Sequence, residues 1–99
     1  MPKSIKVGPH TYTVLRKQAS AFDEAIGFCD NNSLQIWIKK RLRKSKAQEI
    51  LLHEVLHTVT LQCLDGVKEL GDESFVTATA PVLLQVIQDN PDLLEYLTQ

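Results

Sequence analysis

Two histidines and a glutamate hold the densest chemistry in the chain. His53-Glu54-Val55-Leu56-His57 spells H-E-x-x-H. On a helix, residues four apart lie about 40° apart around the axis and one turn along it. Both imidazoles then point to one spot, where each can give a nitrogen to Zn²⁺. Glu54, one position on, flanks that spot and can take a proton from water without binding the metal itself. The spacing therefore predicts a zinc site with His53 and His57 as ligands and Glu54 as catalytic base.

Two histidines do not complete a catalytic zinc site, which needs a third protein ligand and an open fourth position. The longer pattern H-E-x-x-H-x-x-G-x-x-H fails, because Thr60 stands at the glycine and Cys63 at the third ligand. Cys63 falls on the apolar arc of the helix and reads as a core residue. His10 lies in a turn and reads as exposed. The remaining source is an acid at the start of the next helix. Glu73 is expected to share a stripe with Val76, Thr77, Ala80 and Leu84, packed on the first helix. A carboxylate buried there is explained by a metal. Asp72 is the substitute, and an acid favoured by the helix dipole is the plainer account of Glu73.

The elements that must position these residues follow from periodicity. Residues 4–7 and 11–16 flank Gly8-Pro9-His10, and residues 25–30 and 34–39 flank Asn31-Asn32-Ser33, which predicts two hairpins. In the last strand Leu34, Ile36 and Ile38 point one way, Gln35 and Trp37 the other. Ser45-Lys46-Ala47-Gln48 has the form of a capping box. It opens a helix over 47–64 that ends near Gly66. On that helix Leu51, Leu52, Val55, Leu56, Val59 and Cys63 make the apolar arc, with His53, Glu54 and His57 opposite, among Ile50, Leu61 and Leu64. A loop over 65–71 turns the chain back into a second helix, which starts near Asp72 and reaches Asp89. Pro81 should kink or break it. Asn90-Pro91 caps a short third helix over 91–97. The predicted class is α+β, a small antiparallel sheet of three to four strands followed by three helices, in one domain over 1–99.

With these residues in place, the sequence resembles a known group. H-E-x-x-H on one helix and a glutamate from the next is the gluzincin pattern, the class that includes thermolysin. The short length, the strands before the motif and Asp72-Glu73-x-x-Val76 after it are similar to the minigluzincins. They resemble still more the small H-E-x-x-H proteins of phages and prophages, related to the ImmA/IrrE group. Residues 83–91 with Leu93-Leu94 resemble the tail of those proteins, so the likeness spans roughly 4–97. It implies a zinc metallopeptidase in which His53, His57 and Glu73 hold one Zn²⁺ and Glu54 acts as base and then acid. It also implies a peptide lying as an added strand on a sheet edge above the metal. Residues 34–38 are the candidate edge. Trp37 reads as a sheet-face aromatic ahead of a cleft residue. Neither tyrosine, Tyr12 or Tyr96, is placed as an oxyanion stabiliser.

Composition bounds the alternatives. The 99 residues are 43% hydrophobic and 23% charged, which excludes collagen-like and disordered classes. No apolar run reaches the ~20 residues of a membrane span. No leader pattern is visible, and two cysteines fit a reducing, cytoplasmic setting. Residues 1–46 hold ten basic and three acidic side chains, residues 47–99 one and nine. The halves should carry faces of opposite sign. The run 39–46 holds six basic residues in eight, and without an aromatic neighbour it reads as a solvated connection. A peptide or protein substrate is thus the expected partner, with neither nucleic acid nor membrane, and the chain a monomer or weak homodimer. The competing readings are a zinc-stabilised phage accessory or regulatory protein without catalysis, and a repressor- or DNA-associated module working through the basic run.

Overall fold

A computed structural model describes residues 1–18, 20, 25–63 and 73–99, and of Glu73 the backbone only. The order is β1 (Ser4–Val7), β2 (His10–Lys17), β3 (Gly27–Asp30), β4 (Gln35–Lys39), α1 (Lys44–Cys63), α2 (Glu73–Asp89) and α3 (Pro91–Leu97). The class is α+β, with strands preceding helices. None of the described helices is long and apolar enough to cross a membrane.

Both hairpins form where turn chemistry places them. Val7 pairs with His10, so the first turn is two residues, not three, and Gly8 takes φ 58°, which glycine adopts without strain. His10 is an exposed first residue of β2. The two hairpins then join side by side in the order β1-β2-β4-β3. This makes β2 and β4 parallel, Val14 opposite Ile36 and Arg16 opposite Ile38. The sheet is therefore mixed, with two antiparallel pairings and one parallel. It also moves the edge: the segment 34–38, expected at the border, is the core of the inner strand β4, and β3 is outermost. Ile36 and Ile38 are fully buried, and the strand with the most apolar inward face gains most from neighbours on both sides.

The helices cover one face of the sheet. The sheet-facing side of α1 is Ala47, Ile50, Leu51, Glu54, Val55, Thr58 and Val59, closed by Cys63. This corrects the expected arc. Leu52 and Leu56 are 41% and 42% exposed, while Ile50 and Glu54, expected opposite the arc, are buried. Sorting by residue type weighted the two leucines over the small Ala47 and Thr58, which let the helix settle close on the strands. The helix also starts before its expected cap. Arg43 O accepts the Ala47 N–H, Ser45 lies inside the first turn, and Gln48 donates to Tyr96 O in α3 instead.

In α2, Ala78 and Val82 pack on the core and Val86 is buried. The stripe expected against α1 faces outward, with Val76 49% and Leu84 54% exposed and Thr77 and Ala80 also exposed. Of the apolar residues toward the chain's end, Val86 and Leu93 join the core, whereas Ile87 and Leu94 remain exposed. Pro81 sits on the exposed side, and the helix continues through it from Glu73 to Asp89. Its missing hydrogen bond falls where water replaces it. Leu64, the Gly66 cap, the loop over 65–71 and the Asp72 cap lie outside the described residues.

Candidate metal site

His53 and His57 stand one turn apart on α1, both exposed. Their Nε2 atoms converge to 3.1 Å, and the rings meet edge to face with centroids 4.7 Å apart. Spacing on the helix brings the nitrogens together with no help from tertiary packing. Glu54 turns the other way, under β3, and is only 6% exposed. Burial pushes its carboxyl above the ordinary glutamate range, and the two imidazoles draw it partly back. A cleft of about 370 Å³ lies where β3 meets this stretch of α1. Gly27, Phe28, Cys29 and Asn31 line one wall, His53, Glu54, His57 and Leu61 the other.

Gly27 lets the strand come this close. A Cβ there would stand 2.6 Å from Ile50 Cγ2 and 3.0 Å from Glu54 Oε2. Cys29 follows on the same face of β3. Burial first, then the carboxylates of Glu54 and Asp30, push its thiol up to about 11, so it stays protonated beside Glu54. Asn31 Oδ1 accepts the Tyr12 hydroxyl at 2.8 Å and lies 3.6 Å from Cys29 Sγ. The Tyr12 hydroxyl is thus committed to the turn, and burial raises its pKa.

Gly27, Cys29 and Asn31 were not singled out as site residues by sequence. A glycine inside a strand pattern is the signal that marks a close backbone approach, and Gly27 carries it. Cys29 and Asn31 give no such signal, because the stretch of helix they face lies more than twenty positions further along the chain.

The other candidates fall as follows. Cys63 is buried, its Sγ 3.4 Å from Ala78 O. Trp37 lies on the sheet face away from the helices, against Phe28. Glu73 opens α2, but its side chain, like all of Asp72, is outside the described residues. Among the described residues no group of three or more His, Cys, Asp or Glu side chains is gathered to hold a metal. Two converging imidazoles and a buried carboxylate beside them are the described part of the site. No known family model, curated protein or solved structure matches the chain.

Proposed function

We propose that this protein is a minimal zinc-dependent metallopeptidase of the gluzincin type, similar to the small phage and prophage H-E-x-x-H proteins and working in the cytoplasm. The observation that carries the reading is the 3.1 Å approach of His53 Nε2 to His57 Nε2 beside the buried Glu54. Two nitrogens about 2.05 Å from one tetrahedral Zn²⁺ stand roughly 3.3 Å apart, so the donor pair fits this ion. Glu73 is proposed as the third ligand, with Asp72 as substitute.

When bound, zinc supplies a Lewis acid that polarises the scissile carbonyl and acidifies a water. The chain's own residues do the rest. Glu54 takes the proton from the attacking water and returns it to the leaving amine. Its partial burial keeps bulk water from competing for that proton. The peptide is proposed to lie along β3, whose outer side is the sheet border next to the cleft. An added strand there makes main-chain hydrogen bonds and is held across the glutamate.

The test is a peptide-library digest with metal analysis. Wild type should bind about one zinc per chain and cleave. Glu54→Gln should keep the zinc and lose cleavage by 10²-fold or more, the usual range for removing a general base. His57→Ala should lose both. Zinc bound without Glu54-dependent cleavage would turn the assignment to the zinc-stabilised accessory protein, and no zinc in any variant would end both.

A further inference from the structure

The sheet face turned away from the helices carries a second group of residues, of which only Phe28 also borders the histidine cleft. Alternation sends Val14, Ile36 and Ile38 toward the helices and Leu15, Lys17, Phe28, Trp37 and Lys39 to the opposite face. Register then sorts them into rows. Phe28 and Leu15 both pair with Trp37, making an apolar row across three strands, and Lys17 pairs with Lys39 in the next row. The Phe28 and Trp37 rings lie 5.3 Å apart, and Lys17 Nζ sits 4.8 Å from the indole centroid. Trp37 Nε1 donates to Gln35 Oε1, which fixes the indole's orientation. Phe28 is 46% exposed.

The basic run 39–46 holds no aromatic residue; Trp37 stands two positions before it, and strand pairing adds Phe28. A cavity of about 530 Å³, lined by Lys39, Lys40, Arg41, Gln18 and Ser20, opens from the lysine row. The first turn of α1 adds Lys44 and no acid, placing a cation at the positive end of the helix dipole, while Lys46 is paired with Glu49 at 2.8 Å. Asp30 is the one acid of residues 1–46 among the described residues, and its carboxylate accepts the Asn32 and Ser33 N–H groups of its own turn.

We infer that this face binds single-stranded nucleic acid, with a base stacked on the exposed ring of Phe28, which Trp37 backs, and phosphates along Lys17, Lys39, Lys40 and Arg41. A surface for an acidic protein needs the cations and not an exposed Phe28 ring packed on Trp37. An apolar docking face needs the rings and not a row of lysines beside them. π-faces flanked by cations match unpaired bases on a phosphate chain, and a duplex offers no base face to stack. The inference does not rest on the peptidase reading, because its cations and Trp37 lie on the other side of the sheet and only Phe28 also borders the histidine cleft.

Trp37 is the only tryptophan, so its fluorescence reports the surface directly. A fluorescein-labelled single-stranded oligothymidylate should raise in anisotropy on binding, and the unlabelled strand should quench Trp37 saturably at low salt. Removing a stacking ring typically weakens such binding by about tenfold, and Phe28→Ala should do so. Phe28→Leu, which keeps apolar cover on Trp37 and removes the π-face, should weaken it similarly if the alanine variant folds poorly. Lys17→Gln with Lys39→Gln should lower the slope of log K against log salt by about 1.4, at ~0.7 per phosphate contact. Two results overturn the inference: no quenching or anisotropy change at low salt, or binding that ignores both Phe28 variants and is reproduced by heparin and polyglutamate. The latter assigns the face to an acidic protein by charge alone.

Discussion

Gly27 and Glu54 meet across the cleft, and the contact sets where the base can stand. The strand lies so close that a single methyl at position 27 would press on both Ile50 and the Glu54 carboxylate. Forcing such a group into a packed contact costs about 1–3 kcal/mol. Gly27→Ala should therefore lower unfolding stability by that amount in denaturant titration. It should also lower peptidase activity on the order of 10²-fold, as a displacement of about 1 Å in a catalytic group does. Glu54→Gln would lose activity without the stability loss, which separates misplacement of the base from its removal. The histidines were legible at this scale because fixed helical spacing alone brings position 53 to 57. Gly27 and Asn31 were not, because their meeting with α1 depends on which strand becomes the border, and no local pattern encodes that.

The two borders of the sheet are treated in opposite ways, and this is a property of elements. β1 is closed by side chains from the helices. Asn90 accepts the Lys6 N–H and donates to Lys6 O and Val86 O; Gln85 accepts the Gly8 N–H and donates to Lys6 O; Gln62 donates to Val7 O. Covered this way, the edge cannot recruit a foreign strand. Asn90 is 8% exposed and joins β1, the end of α2 and the start of α3 at one point. Asn90→Ala removes three hydrogen bonds and should cost roughly 2–3 kcal/mol by thermal or chemical unfolding. Gln85→Ala, more accessible to water, should cost less. Helix and strand extents were legible here, because periods of 3.6 and 2 are local. The parallel pairing of β2 with β4 was not, since alternation carries no direction. The sheet-facing side of α1 was misjudged for a related reason: Leu52 and Leu56 are more apolar than Ala47 and Thr58, but close approach to a sheet selects small residues. The inward stripe of α2 was misjudged for the same reason: Ala78, Val82 and Val86 face the core, and Gln85 and Asn90 tie the end of the helix to β1.

At the scale of the molecule, the β3 border, the converging imidazoles and the buried carboxylate lie on one side, while the basic sheet face lies on another. Acids concentrate in the helical half and bases in the strand half. A ligand that joins helix to helix at the cleft should be felt by the whole fold, because α1 supplies most of the core over the sheet. If His53 and His57 with an acid of α2 hold one zinc, binding to the folded chain alone adds about 2.7 kcal/mol at a free metal concentration 100 times Kd. For a domain of this size each kcal/mol moves Tm by about 4–8 °C, so zinc should raise Tm by roughly 10–20 °C. Glu54→Gln should keep the full shift, His53→Ala with His57→Ala should abolish it, and Glu73→Ala should reduce it if that carboxylate is the third ligand. Scanning calorimetry of the metal-stripped protein with and without added zinc measures all four. A wild-type Tm that stays fixed at saturating zinc contradicts the metal site while leaving the oligonucleotide surface to stand on its own test.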